Sequence, residues 1–186
     1  MATNILVPLA QGCEELEAIT ITDLLTRAGF NVVTAGLDDQ AVTASRGMVL
    51  LPSTTLDHAL KDSFDMLVLP GGLPGADHLN NDQRIHDLLQ KMNQDNKKIA
   101  AICAAPKVLA RAGLLRGKQA TSFPGAIPEE DLEGIDYKEQ AVVIDGNIIT
   151  SRGPGTAMDF ALSLIEILAG KAKRDEVERP LQRPAA

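Results

Sequence analysis

The sequence has few of the features that mark disulfide-rich, nucleic-acid-binding or membrane proteins. Two cysteines, Cys13 and Cys103, are too few for a disulfide scaffold, so each is best treated as a thiol. The 18 lysines and arginines are outnumbered by 25 acidic residues, and the net charge of -7 repels a phosphate backbone. We therefore do not expect sequence-specific nucleic-acid binding or binding through bulk charge.

Long apolar runs are absent as well. No run approaches the roughly 20 residues that span a bilayer. The residues from Met1 to Pro8 lack the basic region and the long apolar region of a secretory leader. These features predict a cytoplasmic protein whose thiols are kept reduced.

The composition is that of an ordinary globular protein. Hydrophobic residues make up 45% of the chain and charged residues 23%, with 15 glycines and 10 prolines, which excludes a disordered or collagen-like chain. A length of 186 residues suits one compact core and is short of two. We therefore expect a single domain over residues 1–186, with a charged, peripheral tail at 171–186 that adds nothing to the core.

Short apolar runs alternate with helical patterns along the whole chain. The runs Asn4–Leu9, Asp65–Leu69 and Lys98–Ile102 are almost continuously apolar, as strands buried on both faces should be. A further strand is predicted at Asn31–Gly36. This alternation is typical of an α/β fold with a mostly parallel central sheet and helices on both faces.

Turn residues divide most of the remaining strand-like segments into pairs. Residues 41–45 and 48–51 form a hairpin or a bent edge, and residues 141–145 and 148–151 form a second hairpin, each pair being joined by a turn that contains glycine. A short strand is predicted at 119–121. These segments extend or flank the central sheet.

Three residues mark helix boundaries. Gly29 is predicted to end the first helix, because glycine readily takes the left-handed conformation that follows a helix. Asp82 can cap the start of another helix. Pro106 belongs in the first turn of the helix after Cys103, where its missing N–H breaks no intrahelical bond.

The segment Ala100–Pro106 places a single thiol between small residues at the junction of a strand and a helix. Such a junction resembles a nucleophile elbow, whose crowded backbone tolerates only small neighbours. Because the amino end of a helix stabilises a thiolate, Cys103 is a candidate nucleophile. The alternative is a buried structural cysteine, which is common in cores.

Three glutamates, Glu14, Glu15 and Glu17, open the first helix. A carboxyl group on the first turns of this helix could reach the Cys103 elbow, and Glu17 is the candidate. A protonated carboxyl would donate a hydrogen bond to the thiolate and lower the thiol pKa, whereas an ionised carboxyl would repel the thiolate. The alternative is a solvated start that matches the helix dipole, and this describes at least two of the three glutamates.

Motifs for metals and nucleotides are missing. His58, His78 and His86 are neither close in sequence nor at the spacing of a zinc helix, and the two cysteines form no C-x-x-C pair. The glycines at 71–72 and 153–155 match neither a Walker A loop nor the G-x-G-x-x-G pattern. We therefore expect no metal and no cofactor, although an anion could bind at a helix start.

Four motifs, in this order, resemble the ThiJ/PfpI superfamily, and within it the branch of the parkinsonism-associated protein deglycase and YajL. The motifs are Gly12–Glu17, Leu69–Gly72, Ala100–Pro106 and Thr150–Thr156. The resemblance covers nearly the whole chain. It implies a flavodoxin-like three-layer sandwich that forms a homodimer, with Cys103 as a reactive, oxidation-prone thiol on a strained elbow.

The resemblance also implies roles for individual residues. Glu17 matches the family's protonated glutamate beside the thiol. The backbone N–H groups of Gly72 and Ala104 match the family's oxyanion pocket. Arg46 and Pro154 match residues at the pocket rim and at the dimer boundary.

Two positions depart from the pattern of other branches. The protease-like and larger chaperone-like branches place a histidine directly after the nucleophile, where this chain has Ala104, so a Cys-His peptidase dyad is disfavoured. Some deglycase relatives place a histidine before the loop proline, where this chain has the pocket residue Phe123. Without such a histidine, either Glu17 carries the proton traffic or catalysis is slow.

The leading hypothesis is a cofactor-independent, cysteine-dependent deglycase or glyoxalase. In the family, the pocket handles small dicarbonyls such as methylglyoxal and their adducts on cysteine, lysine, arginine or guanine. The alternative is a redox-sensing, chaperone-like stress protein in which Cys103 is oxidised to sulfinic acid. A folded domain with an inert thiol is the third hypothesis.

Overall fold

A seven-stranded sheet forms the centre of the molecule, which is described over residues 3–183 of a computed structural model. The strands of the described chain are β1 (Asn4–Leu9), β2 (Asn31–Gly36), β3 (Val42–Thr43), β4 (Val49–Leu50), β5 (Thr54–Thr55), β6 (Met66–Leu69), β7 (Lys98–Ile102), β8 (Gln119–Ala120), β9 (Asp136–Tyr137), β10 (Val142–Asp145) and β11 (Ile148–Ser151). The helices are α1 (Glu15–Arg27), α2 (Leu56–Ala59), α3 (Gly75–Asn81), α4 (Gln83–Gln94), α5 (Pro106–Arg111), α6 (Ala157–Ala169) and α7 (Lys171–Glu178).

The strand order of the central sheet is β10-β11-β7-β6-β1-β2-β5. The β10–β11 pair is antiparallel, and the other neighbours are parallel. The strands β3 and β4 form a separate antiparallel hairpin, and β8 pairs with β9. The mostly parallel α/β architecture predicted from the sequence is therefore confirmed.

The core has one apolar layer on each face of the sheet. Along β1, Ile5 and Val7 belong to the cluster packed by α1, α6 and α7, whereas Leu6 belongs to the cluster packed by α2, α3, α4 and α5. Successive side chains of a strand point to opposite faces, so a strand covered on both sides must be apolar throughout. This explains why the first apolar run of the sequence lacks polar alternation.

The helix-boundary predictions are confirmed. Gly29 has a φ of 84° and directly follows Ala28, the C-cap residue of α1. The Asp82 side chain accepts a hydrogen bond from the backbone N–H of Arg84 at 3.0 Å at the start of α4. Pro106 is the first residue of α5, so the turn that holds Cys103 leads directly into that helix.

Four short elements, α2, α3, β5 and β9, were not predicted from the sequence, and neither was the tail helix α7. With four residues in α2 and seven in α3, the apolar positions are too few to show a helical period. Tertiary packing holds α3 instead, because Ala76 and Leu79 are fully buried. Gly75, the first residue of α3, lies against the backbone of Cys13.

The tail differs from the expectation that it adds nothing to the core. Helix α7 packs on α6, and its Val177 is buried in the apolar cluster that α1 and α6 also line. Arg183 donates hydrogen bonds to Asp159 on α6 at 2.5 Å and to Glu178 at 3.1 Å. Residues 1–2 and 184–186, which the sequence expectations included, lie outside the described residues.

Candidate active site

Cys103 lies on a strained turn between the carboxyl end of β7 and the start of α5. Its φ of 63° is in the left-handed region, which costs a residue other than glycine about 1–3 kcal/mol. Gly71 approaches so closely that a Cβ atom there would lie 2.6 Å from the Cys103 Cβ and 2.8 Å from the Ile102 carbonyl oxygen. The crowding explains why small residues surround the thiol.

Two backbone N–H groups, those of Gly72 and Ala104, point at the Cys103 sulfur. Gly72 has a φ of 88°, and a Cβ atom there would lie 2.6 Å from the Gly12 carbonyl oxygen, so only glycine fits. The loop after β6 can therefore bring its N–H groups up to the elbow. The two residues assigned to the oxyanion pocket thus lie together beside the sulfur.

Glu17 is fully buried on α1 and is held by the same loop. Its Oε2 accepts a hydrogen bond from the backbone N–H of Gly71 at 2.8 Å, and its carboxyl group lies close enough to the Cys103 thiol for each group to shift the pKa of the other. Its Oε1 has no hydrogen-bond partner within residues 3–183. Burial raises the pKa of Glu17 to about 7, against the opposing effects of the Gly71 N–H and the Cys103 thiol.

The Cys103 thiol is less acidic than the sequence suggested. Burial, followed by the negative charge of Glu17, raises the pKa of Cys103 to about 12. The N–H groups of Gly72 and Ala104 lower the pKa of the thiol, but by less. The expected stabilisation of a thiolate by the helix start is therefore outweighed, and a thiolate does not coexist with an ionised Glu17 near neutral pH.

Glu17 and Cys103 act as a pair that shares protons. The pair loses its first proton near pH 7, and the proton that remains can lie on the sulfur or on the carboxyl group. When it lies on Glu17, the carboxyl group is uncharged and becomes a donor to the sulfur. The sulfur can therefore become nucleophilic near neutral pH by passing its proton to Glu17.

Cys103 is half-buried and opens onto a pocket of about 400 Å³. The residues that line this pocket with it are Glu14, Ser45, Arg46, Gly72, Leu73, Ala104, Phe123, Pro124, Gly125, Ala126 and Pro154. The candidates Arg46, Phe123 and Pro154 are thus brought together at the thiol. Glu17 reaches the thiol from the buried interior and is not part of this lining.

The three glutamates that open α1 do not form a solvated helix start. Glu14 and Glu15 are each 8% exposed, and Glu17 is fully buried. The expectation that at least two of them face solvent is therefore wrong. Glu14 lines the pocket, and its Oε2 accepts a hydrogen bond from the Ser45 hydroxyl at 2.8 Å.

Glu15 fixes the turn between β3 and β4. Its carboxylate accepts hydrogen bonds from the backbone N–H groups of Arg46 at 3.0 Å and Met48 at 3.4 Å, and from the Ser45 hydroxyl at 3.1 Å. These bonds join residues about 30 positions apart in the sequence, and they hold the pocket residues Ser45 and Arg46 in place. Sequence reasoning missed this role because a carboxylate that binds a distant turn leaves no periodic signal.

The chain matches the family model described as the DJ-1/PfpI family over residues 3–167. The chain belongs to this family. Protein dj-1beta of Drosophila melanogaster is 46% identical over 182 residues, covering 97% of each chain. Glutathione-independent glyoxalase DJR-1.2 of Caenorhabditis elegans is 34% identical over 178 residues, covering 95% of this chain and 94% of that protein.

The fold of this chain also matches solved structures of the family. The crystal structure of Drosophila melanogaster DJ-1beta has a TM-score of 0.94 to this chain at 45% identity, with 100% of both chains covered. Together with the match to the family model, this confirms the resemblance to the ThiJ/PfpI superfamily that the four sequence motifs carried.

The second thiol of this DJ-1/PfpI chain lies in a different environment. Cys13 is fully buried, and burial, followed by the charge of Glu15, raises its pKa to about 11. It does not line the Cys103 pocket. Cys13 therefore stays protonated near neutral pH and out of reach of solutes.

The described residues offer neither a metal cluster nor a membrane span. Between residues 3 and 183, His, Cys, Asp and Glu side chains do not gather in a group of three or more that could hold a metal ion. No helix in this part of the chain combines the length and the apolar character needed to cross a bilayer. The histidines are elsewhere: His78 and His58 line other clefts, and His86 bonds the Asn80 carbonyl oxygen at 2.8 Å.

Proposed function

We propose that this chain is a cofactor-independent, cysteine-dependent deglycase or glyoxalase, acting on glyoxal, methylglyoxal and their adducts with amino-acid side chains. The observation that carries the proposal is a half-buried Cys103 at a small pocket, in contact with a buried carboxyl group whose pKa is about 7. A base with a pKa near the working pH is the most effective one. The name of the Caenorhabditis elegans relative supports the same chemistry.

The reaction begins with sulfur addition to the aldehyde. The Cys103 sulfur forms a bond to the aldehyde carbon while its proton passes to Glu17, and the carbonyl electron pair moves to the oxygen. The N–H groups of Gly72 and Ala104 stabilise that oxygen as charge develops. Glu17 then returns the proton to the oxygen, which leaves a hemithioacetal and an ionised Glu17.

The second stage is an internal redox step followed by hydrolysis. Glu17 removes the hydrogen of the former aldehyde carbon as a proton, and the electron pair moves toward the ketone oxygen to give an enediolate. Glu17 then returns the proton to the former ketone carbon, while the hydroxyl proton of the first carbon passes to the oxygen of the second. The product is a thioester of a 2-hydroxy acid, in which one carbon has been oxidised and the other reduced. Water then cleaves the C–S bond and releases the hydroxy acid and the Cys103 thiol, so no cofactor is consumed.

Adducts on amino-acid side chains react through the same series of steps. The Cys103 sulfur displaces the nitrogen or sulfur of the modified side chain, and that atom leaves with a proton from Glu17. The resulting hemithioacetal is the same one that the free dicarbonyl forms. A peptidase is disfavoured, because Ala104 follows the thiol and the pocket lining contains no histidine.

Formation of lactate from methylglyoxal tests the proposal directly. We expect the wild-type protein and a Cys13→Ala control to form lactate, and a Cys103→Ser variant to lose at least about a hundredfold in rate, because the nucleophile is gone. The rates are measured on purified protein by an enzymatic lactate assay. Equal rates for wild type and Cys103→Ser would reject the proposal.

The pH dependence of Cys103 alkylation tests the role of Glu17. We expect the rate with iodoacetamide to rise through about pH 7 as the pair loses its first proton. In Glu17→Gln this inflection disappears, because the amide cannot accept the thiol proton. An inflection near pH 7 that survives in Glu17→Gln would show that another group activates the sulfur.

Redox sensing is the second candidate function. The observation that favours it is the contrast between the half-buried Cys103, faced by two N–H groups, and the fully buried Cys13. Peroxide can oxidise an accessible thiol to a sulfinate, whose oxygens the N–H groups and a protonated Glu17 would hold. Intact-mass measurement after peroxide treatment should find a two-oxygen adduct on Cys103 alone, and equal oxidation of Cys13 would reject the idea.

We also propose that the chain forms a homodimer in the cytoplasm. Large apolar side chains are exposed on α1 and around β4: Leu16, Ile19, Met48, Val49 and Leu51. A second copy of the chain would cover this surface beside the pocket residue Arg46. Sedimentation should show a dimer that Leu51→Glu weakens and Ile144→Glu does not. If the wild-type protein sedimented only as a 19.8 kDa species at micromolar concentration, the proposed homodimer would be contradicted.

A further inference from the structure

Two large apolar side chains at the Cys103 pocket are exposed without serving the core. Phe123 is 50% exposed and Leu73 is 59% exposed, and both line the pocket. They lie on the loops that follow β8 and β6, apart in sequence from the apolar surface of α1 and β4. Exposed apolar side chains that border a concave site are typical of ligand contacts.

The backbone of Phe123 is tied to the elbow. Its N–H donates a hydrogen bond to the Cys103 carbonyl oxygen at 2.8 Å, and its own carbonyl oxygen accepts one from the Ala126 N–H at 2.9 Å. On the other side of the loop, the Ser122 carbonyl oxygen accepts a hydrogen bond from the Tyr137 hydroxyl at 3.0 Å. The ring is therefore carried by a loop whose position relative to Cys103 is fixed.

Gly153 lies next to both the Phe123 ring and the Cys103 sulfur. A Cβ atom on Gly153 would lie 3.4 Å from the Phe123 Cδ2 and 3.9 Å from the Cys103 Sγ. One point beside Gly153 is therefore within contact distance of both groups, so the edge of the Phe123 ring lies near the Cys103 sulfur. A substituent on a carbon bonded to that sulfur would be within reach of the ring.

The lining of the pocket is divided by chain segment. Its charged and hydroxyl side chains, Glu14, Ser45 and Arg46, come from the start of α1 and from the turn after β3. Its larger apolar side chains come from the loops after β6, β8 and β11, and they include Leu73, Phe123 and Pro154. An apolar group on a substrate would therefore lie with Phe123 and a polar group would lie with Glu14 and Arg46.

We infer that Phe123 is a specificity-determining residue that selects 2-oxoaldehydes with an aromatic or bulky apolar substituent over glyoxal. This inference rests on the proposed function. When the aldehyde carbon bonds to the Cys103 sulfur, an aromatic substituent packs against the Phe123 ring. Two aromatic rings prefer an offset-stacked or edge-to-face arrangement. The loss of even one methylene group from an apolar contact changes kcat/KM by roughly 10–200-fold.

Phenylglyoxal and glyoxal provide the test. The atoms balance as phenylglyoxal plus water to mandelate, and as glyoxal plus water to glycolate. We expect the ratio of kcat/KM for phenylglyoxal to that for glyoxal to fall about tenfold in Phe123→Ala, and to fall less in Phe123→Leu, which keeps apolar volume. Ile144→Ala is the matched control, because Ile144 is 54% exposed on β10 and lies outside the pocket.

A second measurement does not depend on turnover. Cys103 is alkylated with 2-bromoacetophenone, which carries the same phenyl ketone, and separately with iodoacetamide. The ratio of the two rates should fall severalfold in Phe123→Ala, with Cys103→Ser giving the background. If mandelate and glycolate form but neither ratio depends on Phe123, the inference is overturned and the proposed function stands. If no hydroxy acid forms but the alkylation ratio falls, the proposed function fails and the contact with Phe123 stands.

Discussion

The Glu17→Gln substitution should change how the stability of the protein depends on pH. Glu17 is fully buried, and burial raises its pKa from the ordinary value of 4.5 to about 7. The folded protein therefore holds a proton on Glu17 at pH values where the unfolded chain has released it. Glutamine keeps an oxygen to accept the Gly71 N–H and an amide to donate toward the sulfur, but it cannot ionise.

The sign and the size of the effect follow from proton linkage. Below about pH 4.5 both states hold the proton, and the carboxyl group costs nothing through ionisation. Between about pH 4.5 and pH 7 the folded state binds more protons than the unfolded state, so the free energy of unfolding falls as the pH rises. The difference between 4.5 and about 7 corresponds to a loss of about 3 kcal/mol.

Urea unfolding of both proteins between about pH 4.5 and pH 8 measures this loss. Relative to Glu17→Gln, the wild-type protein should lose about 3 kcal/mol across the range, which is about 1–3 M in the urea midpoint. Groups common to both proteins cancel in the comparison, including Asp65 and Asp82, whose pKa values are lowered by Lys97 and Arg84 respectively. Parallel profiles would mean that Glu17 ionises at its ordinary pKa, and the argument that it serves as a base near pH 7 would fail.

Three further substitutions probe the frame of the site. Phe160→Ala removes a fully buried ring of α6 from the apolar cluster that α1 and α7 also line, and it should cost roughly 3–5 kcal/mol by urea unfolding. Gly71→Ala places a Cβ atom 2.6 Å from that of Cys103, so lactate formation should fall at least about tenfold, because small misplacements of reacting groups are costly. Glu15→Ala should speed hydrogen exchange at the amides of Arg46 and Met48, whereas exchange in α4 stays unchanged.

The features that the sequence predicted correctly are those that local chemistry determines. A strand covered on both faces needs an unbroken apolar run, which is why β1, β6 and β7 were predictable. The turn at Cys103 needs small neighbours, and those neighbours are visible as alanines. Gly29 and Asp82 act within a few residues of their own positions, so their roles leave a short-range signal.

The features that the sequence did not reveal depend on long-range contacts. Glu14 and Glu15 are buried because a turn some 30 residues later covers them, and nothing in their own segment indicates this. The direction of the Cys103 pKa shift has the same origin. The helix start is local and favours the thiolate, but burial and the charge of Glu17 come from packed neighbours and oppose it more strongly.

The reactivity of the sulfur therefore depends on where one proton lies. A thiol whose pKa is about 12 is a poor nucleophile at neutral pH, and a carboxyl group whose pKa is about 7 is a good base there. Because the two groups lie side by side, in the proposed reaction the proton can cross to Glu17 as the new bond to sulfur forms, and no free thiolate has to accumulate. Such a site keeps the sulfur protonated at rest, and in the proposed reaction it makes the buried glutamate as necessary as the cysteine.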